Sequence, residues 1–332
     1  MGVGMYINLR YMAGVELELK DLKVVFDPLR IRRDADLYLI SHAHSDHYPN
    51  PKQIYLSYNI YSSPETRDII CARHGAAGWI KEIRLDRPVV FKDRYIVAAY
   101  PSGHMLGSRG FIIDDGNVRI AYTGDLNNRV CLSTVYEAAV PDNIDILIIE
   151  ATYGHPTFRF GDHQQLWLEM VRWATSTVEN GFLPCFKGYT AGKSQEIEAI
   201  FSLLTNIPIY PHPMIHRVNK VYSKYGIDFV TKNIVHNIEE AKLMVSPKYL
   251  ENWAGKKVLT ASATGKILLK GDFGFPLSSH ADYPSLLRYI RDCNPKFVFT
   301  VYGYSESLAY SVGKKLNIPA RALTDKFQKV KL

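Results

Sequence analysis

The sequence predicts an α/β protein with a second, smaller α/β unit inserted into the first. Apolar runs typical of buried strands end, at four separate places, in loops that carry histidine, aspartate or glutamate. After Gly154 the pattern changes to an alternation of helices and short strands, which is typical of a compact α/β unit. The chain has 332 residues and is 47% hydrophobic, so it can bury a sizeable core and hold two domains.

The part of the chain before Gly154 is predicted to consist mainly of strands. Short apolar or alternating runs predict strands over residues 15–20, 22–26, 37–40, 89–100, 111–113, 118–123 and 144–149. The first two are expected to pair as a hairpin, and residues 114–117 (Asp-Asp-Gly-Asn) suit the turn of another. Ser63 followed by Pro64 predicts the start of a helix that ends at Gly75.

The remaining chain is predicted to alternate between helices and strands. The patterns predict helices over residues 163–179, 194–204, 284–292 and 307–316, and strands over residues 183–186, 207–210 and 297–301. Residues 188–194 resemble a phosphate-binding P-loop, but three residues separate the two glycines where a P-loop has four, so a nucleotide triphosphatase is rejected. The helix start beside Lys187 and Lys193 can still hold one phosphate, and the alternative is a solvated turn.

A cluster of potential metal ligands follows the predicted strand 37–40. His42, His44, Asp46 and His47 lie within six residues, although the whole chain has only eleven histidines. Neutral imidazole and carboxylate suit a borderline divalent ion such as zinc. The spacing lets His42 and His44 converge on one ion while Asp46 and His47 turn toward a second. The alternative is a solvated histidine-rich loop.

Three further predicted strands end in potential ligands. His104 follows the strand 89–100 and stands between two glycines, Asp125 follows the strand 118–123, and Glu150 follows the strand 144–149. His280 lies on a polar loop much later in the chain. Strand ends can meet at one rim of a sheet, and loops held by rigid strands are common places for catalysis. We therefore expect these side chains to share one site.

Charge and cysteine content narrow the class of protein. The formal net charge of +7 favours a polyanionic partner. The four cysteines have no CxxC spacing and are expected to be buried thiols of a reducing compartment. No apolar run approaches the ~20 residues that span a membrane, and no apolar signal-peptide segment is evident at the start. These observations predict a soluble cytoplasmic protein with no membrane partner.

Short motifs along the chain resemble those of the metallo-β-lactamase superfamily and of its β-CASP branch, whose members are nucleases acting on RNA or DNA. The superfamily motifs are His42-x-His44-x-Asp46-His47, Gly103-His104-x-Leu106-Gly107-Ser108 and Thr123-Gly124-Asp125. Residues 150–154, 278–283 and 302–308 resemble β-CASP motifs A, B and C. The resemblance implies a four-layer αββα sandwich over residues 1–155 and 277–332, with an inserted α/β cap domain over residues 156–276.

The resemblance also implies roles for the site residues. His42, His44 and His104 are expected to hold one ion, Asp46 and His47 a second, and Asp125 to bridge the two. The cofactor is expected to be one or two Zn²⁺ ions, with Mn²⁺ as an alternative in the second position. Asp46 is also a candidate to orient the attacking water, and Glu150 to fix a histidine. His280 is expected to donate a proton or to contact phosphate.

The expected activity is zinc-dependent phosphodiester hydrolysis. Residues 192–195 and 303–306 are most similar to ligase-associated exonucleases, followed by Artemis-type nucleases, so we expect a DNA exonuclease of repair or end processing acting on single-stranded DNA. Lys187, Lys193 and Arg217 are the expected phosphate contacts, and the alternative is that they are solvated surface cations. Other possible functions are an RNA-processing β-CASP ribonuclease, a small-molecule metallo-hydrolase and an inactive nucleic-acid binder.

Tyr302 departs from the motif that it resembles. A histidine is usual at this position, and a phenol with a pKa near 10 is a poor zinc ligand while it is neutral. We therefore expect the second metal position to be the weaker one.

Overall fold

The computed structural model describes residues 6–54, 58–269 and 273–331. The strands among these residues are β1 (Tyr6–Tyr11), β2 (Val15–Leu19), β3 (Leu22–Phe26), β4 (Leu37–Leu39), β5 (Ile60–Ser62), β6 (Lys81–Glu82), β7 (Val89–Phe91), β8 (Tyr95–Pro101), β9 (Arg109–Asp114), β10 (Arg119–Tyr122), β11 (Ile146–Glu150), β12 (Leu183–Lys187), β13 (Ile209–Pro211), β14 (Leu243–Ser246), β15 (Asn252–Trp253), β16 (Lys256–Ala263), β17 (Gly274–Phe275), β18 (Phe297–Val301), β19 (Ala320–Ala322) and β20 (Gln328–Lys331). The α-helices among them are α1 (Pro64–His74), α2 (His163–Glu179), α3 (Lys193–Leu204), α4 (Pro213–Lys224), α5 (Tyr283–Cys293) and α6 (Ser305–Leu316).

Two seven-stranded sheets pack face to face. The first has the order β20-β1-β2-β3-β4-β5-β6 and the second the order β19-β18-β11-β10-β9-β8-β7. Alternate residues of their strands, such as Leu17 and Ile148, are fully buried in the apolar core between the sheets. Helix α1 packs on the outer face of the first sheet, and α5 and α6 on the outer face of the second. This confirms the predicted αββα sandwich.

A third sheet is built from the middle of the chain. Its order is β13-β14-β12-β16-β15, with β17 beside β16. Strands β12, β13, β14 and β16 are parallel, and helices α2 and α3 cover one face of the sheet. All of these strands lie inside the range 156–276 predicted for the cap, while the domain boundaries themselves stay a prediction.

The local signals that start and stop the helices explain why several were predicted accurately. Ser63 accepts a hydrogen bond from the Thr66 N–H at the start of α1, and Gly75 ends that helix with φ of 85°. Asp162 caps α2 and Asp282 caps α5 in the same way. None of the helices in the described ranges is long and apolar enough to cross a membrane.

Two expectations need correction. The predicted strand 89–100 is a hairpin, because Lys92 and Asp93 both adopt left-handed φ angles and turn the chain between β7 and β8. Cys71 is exposed on α1 rather than buried, whereas Cys185 and Cys293 are buried and Cys131 is half-buried. All four thiols are free.

The third sheet is joined to the sandwich by apolar and polar contacts. Val218 and Tyr222 of α4 share an apolar cluster with Ile69 of α1. The buried Glu196 carboxylate on α3 accepts hydrogen bonds from the Leu132 and Ser133 N–H groups at 3.1 and 2.8 Å, and its oxygen lies 3.3 Å from the Cys131 Sγ. The carboxylate thereby supplies hydrogen-bond acceptors to two backbone N–H groups in a loop of the sandwich, although it belongs to a helix that packs on the third sheet.

We expect Glu196→Gln to lower the free energy of unfolding by about 1–3 kcal/mol, because an amide NH₂ would face a backbone N–H that has lost its acceptor. Urea denaturation measures the change. Glu306→Gln, at an exposed position in the first turn of α6, is the matched control. Equal midpoints for Glu196→Gln and wild type would contradict this role.

Candidate metal centre

The strand ends of both sandwich sheets meet at one rim. Strands β3 and β4 are parallel, as are β10, β11 and β18, so each set delivers its following loop to the same edge. A cavity of about 330 Å³ opens there. The predicted site residues that line it are His44, Asp46, His47, His104, Asp125, Lys193 and His280.

Three imidazole rings converge beneath the floor of this cavity. The His44 Nδ1 lies 3.0 Å from the His42 Nε2 and 3.2 Å from the His104 Nε2. His42 and His104 are buried, and His44 is half-buried. Gly103 makes the approach of His104 possible, because it has φ of +71° and a Cβ there would lie 2.2 Å from the Asn127 carbonyl oxygen.

The outer nitrogen of each ring has a fixed hydrogen-bond partner, and this determines the tautomer. The His44 Nε2 donates to the Ala191 carbonyl at 3.1 Å, and the His104 Nδ1 donates to the Ser279 carbonyl at 2.6 Å. The Ser41 hydroxyl donates to Asp27 and so accepts from the His42 Nδ1 at 2.9 Å. In the neutral rings the three facing nitrogens therefore carry lone pairs and no hydrogen.

The protonation of the rings agrees with that assignment. Burial, followed by the nearby imidazoles, lowers the pKa of His42 and of His104 well below its ordinary value. Burial also lowers the pKa of His44 to about 3. Three lone pairs pointing at one another repel, and a shared cation relieves that repulsion.

Asp125 adds a fourth donor to the three imidazole nitrogens. Its Oδ2 lies 3.4 Å from the His42 Nε2 and 3.6 Å from the His104 Nε2. Zinc bonds of about 2.0–2.1 Å in a tetrahedron place neighbouring donor atoms roughly 3.3–3.4 Å apart. The donor spacing of 3.0–3.6 Å in this cluster fits such an ion.

A second group of side chains flanks the same Asp125 oxygen. The His47 Nε2 lies 3.6 Å from it, while the His47 Nδ1 donates to Asp27 at 2.8 Å. Although burial opposes the charged ring, Asp125 and Asp27 raise the pKa of His47 to about 10. Asp46 is exposed at the cavity wall. The structure thus places His47 beside Asp125, whereas Asp46 belongs to none of the clusters of three or more donor atoms within 4.8 Å of one another among the described residues.

Asp27 holds several side chains beneath the cavity in place, a role that was not predicted from the sequence. The fully buried carboxylate accepts from the Ser41 N–H and hydroxyl at 2.7 Å, from His47, and from the Tyr122 hydroxyl at 2.6 Å. It follows β3 directly, so the rule that located the other strand-end ligands could also have found it.

The buried Glu150 carboxylate pairs with the half-buried His280. The Glu150 Oε1 accepts from the His280 Nδ1 at 2.9 Å and from the Leu126 N–H at 2.8 Å. The His280 Nε2 then points into the cavity, 3.7 Å from the Asp125 Oδ2. Burial opposes the charged imidazole, but Glu150 and Asp125 raise the pKa of His280 above its ordinary value.

Tyr302 lies beside His47, at the second metal position that was predicted to be the weaker one. Its hydroxyl is 2.9 Å from the Tyr122 hydroxyl, and its ring packs 5.5 Å from the His47 ring. Burial, followed by Asp27, raises the pKa of Tyr302 well above its ordinary value, so the phenol is neutral. Tyr302 occupies the wall beside His47 without offering an anionic oxygen.

The three predicted phosphate contacts differ in their burial and in whether they line the cavity. Lys193 is buried at the start of α3, donates to the Leu277 carbonyl at 2.8 Å and lines the cavity. Burial lowers the pKa of Lys193 to about 8. Lys187 and Arg217 are exposed, and neither is among the described residues that line the cavity. The cavity also has Tyr189, Thr264 and Lys266 on its wall, which the sequence analysis had not singled out.

Known proteins similar to this chain have names that refer to nucleic acids. No family model matches the chain. A probable DNA ligase from Opitutus terrae is 27% identical over 289 residues, which cover 83% of this chain and 28% of the ligase. An RNase J-like protein from Methanocaldococcus jannaschii is 25% identical over 401 residues, covering 93% of this chain and 94% of that protein.

The fold also has a counterpart among solved structures. A protein of unknown function from Enterococcus faecalis V583 matches 99% of this chain and 100% of its own, with a TM-score of 0.62 at 15% identity. This likeness concerns the fold alone.

We expect Asp27→Asn to weaken zinc affinity about 10–100-fold, because the amide can no longer orient Ser41 and His47 as the carboxylate does. Competition with a chromogenic chelator measures the affinity. Asp115→Asn is the control, since Asp115 lies in the β9–β10 turn. Unchanged affinity in folded Asp27→Asn protein would contradict the role of Asp27.

Proposed function

We propose that this chain, which belongs to the β-CASP branch of the metallo-β-lactamase superfamily, is a metal-dependent nuclease that hydrolyses phosphodiester bonds. The observation that carries the proposal is the cluster of three imidazole lone pairs and one carboxylate oxygen at the cavity floor. That donor set suits zinc, and we propose Zn²⁺ as the resident ion.

The protein would hold one ion through His42, His44, His104 and Asp125, and a weaker second ion, zinc or manganese, through Asp46, His47 and Asp125. Bound metal would supply an activated water and neutralise charge on the phosphate oxygens. Asp46, which is exposed on the cavity wall, would orient that water. Asp27 and Glu150 would act on the site only through the residues that they hold.

His280 is the proposed proton donor to the leaving oxygen. Glu150 holds its Nδ1, so the ring has one orientation and its Nε2 faces the cavity. A general acid needs this arrangement, with one nitrogen fixed and the other within reach of the substrate.

Lys193 is the proposed phosphate contact within the cavity. Its ammonium group is held at the Leu277 carbonyl with little access to bulk water. A cation in such surroundings attracts a phosphate more strongly than an exposed lysine does, because solvent screens the charge less. Lys187 and Arg217 would contact only those parts of a strand that lie outside the cavity.

We propose DNA as the substrate, with exonucleolytic trimming of single strands in repair or end processing. The alignment of 83% of this chain with a protein named as a probable DNA ligase supports this choice. RNA processing is the second candidate, and the near full-length match to an RNase J-like protein favours it. A cytoplasmic location, consistent with four free thiols, belongs to the same proposal.

The direct test is incubation of the purified protein with 5′- and 3′-labelled single-stranded DNA and RNA, with and without a chelator. We expect cleavage that the chelator abolishes and that added zinc or manganese restores. Preference for DNA or RNA separates the two candidates. If protein that contains zinc hydrolyses neither DNA nor RNA, the proposal that it is a nuclease is overturned.

We expect His280→Ala to slow the chemical step ~10²–10⁴-fold, because the leaving oxygen loses its proton donor. Single-turnover cleavage gives the rate, and strand affinity and zinc content should change little. His155→Ala replaces an exposed histidine after Gly154 and serves as the control. A wild-type rate in His280→Ala would remove His280 from the mechanism.

A further inference from the structure

The third sheet has one edge that leads directly to the metal cavity. Strands β13, β14, β12 and β16 run parallel and end nearly level, with Lys187 paired in register to Ser246 and to Ser262. The loops after β12 and β16 supply Tyr189, Thr190, Thr264 and Lys266 to the cavity wall. The carboxyl edge of the sheet is therefore continuous with the site.

Charge is distributed unequally between the two edges of this sheet. The segments at the carboxyl ends of the four strands, residues 187–195, 211–224, 246–250 and 262–269, contain seven lysines or arginines and no aspartate or glutamate. The segments before the strands carry both signs, with Lys242 and Lys256 beside Glu179, Glu239 and Glu240, and Glu251 stands two residues after Tyr249. The cationic carboxyl edge attracts a polyanion more strongly than the edge of mixed charge does.

Exposed aromatic rings lie among these cations. Tyr189 is 66% exposed, and its ring centroid is 5.5 Å from that of His44. Tyr249 is 55% exposed, with the Lys187 ammonium 5.5 Å from its ring centroid. The Tyr249 hydroxyl donates to the Thr260 carbonyl at 3.1 Å, which holds the ring in place. Alternating cations and flat rings suit unpaired bases on a phosphate backbone.

We propose that single-stranded nucleic acid passes from the cavity over this carboxyl edge, with bases stacked on Tyr189 and Tyr249 and phosphates on Lys187 and Lys248. The proposal deepens the proposed function and rests on it, since it assigns the path of the strand outside the cavity. Stacking does not discriminate between bases, so the path accepts any sequence. Duplex bases are already stacked and cannot use the two rings.

Binding measurements test the path separately from catalysis. The probe is a fluorescent phosphorothioate oligothymidylate of about twelve nucleotides, which resists hydrolysis, compared with a duplex of the same length. The variants are Tyr249→Ala, Tyr249→Phe and Lys187→Ala. The chain offers a matched control in Tyr310 and Lys314, an exposed pair on α6 whose ammonium-to-ring distance is 5.6 Å.

We expect Tyr249→Ala to weaken single-strand binding about tenfold and duplex binding very little, while Tyr249→Phe, which keeps the ring and loses only the hydroxyl bond to Thr260, should weaken it much less. Lys187→Ala should reduce the slope of log affinity against log salt by about 0.7. Tyr310→Ala and Lys314→Ala should match wild type.

Equal single-strand affinity for Tyr249→Ala and wild type would overturn the path, and so would an equal loss for duplex and single strand. Displacement of the probe by polyglutamate at equal charge concentration would also overturn it, because the edge would then recognise acidic polymers in general. Failure of the nuclease proposal gives a different result, namely wild-type protein that binds the strand but does not cleave unmodified DNA or RNA.

Discussion

Mutual repulsion among three imidazole lone pairs is the constraint on which the site depends. The His44 Nδ1 faces the His42 Nε2 at 3.0 Å and the His104 Nε2 at 3.2 Å with no hydrogen between them, and a shared cation would relieve this repulsion. Their orientation is imposed from outside, by Asp27 through Ser41 and by the carbonyls of Ala191 and Ser279. Ala191 and Ser279 lie far along the chain from the histidine-rich loop. The site is therefore complete only when the segments around these two residues pack against the rim of the sandwich.

This dependence gives the third sheet a part in the metal centre. The loop that carries Ala191 continues into α3, where Glu196 ties the helix to residues 131–133 of the sandwich. The same loop places Tyr189 and Lys193 at the cavity. The proposed metal ligation, phosphate contact and strand path therefore depend on one short segment, and a shift of the third sheet would disturb all three together.

Ligand types after buried strands are a strong local signal in the sequence, and this signal grouped His42, His104 and Asp125, whose ligand atoms the structure brings within 4.8 Å of one another. The sequence offered the same strand-end signal at Asp27, but it does not show that this carboxylate contacts Ser41, His47 and Tyr122, because those contacts form only when the sheets pack. Nor could it separate the buried Lys193 from the exposed Lys187, because burial depends on how the third sheet docks. The turn at Lys92 was missed for another reason, as its left-handed backbone lacks the usual glycine.

The most direct test of this account is X-ray absorption spectroscopy at the zinc edge on metal-loaded protein. The account predicts scattering from three imidazole nitrogens at about 2.0–2.1 Å and an oxygen donor at similar distance, with no sulfur shell near 2.3 Å. When His104 is replaced, one imidazole contribution should disappear. A spectrum dominated by sulfur, or one lacking imidazole scattering altogether, would contradict the proposed centre.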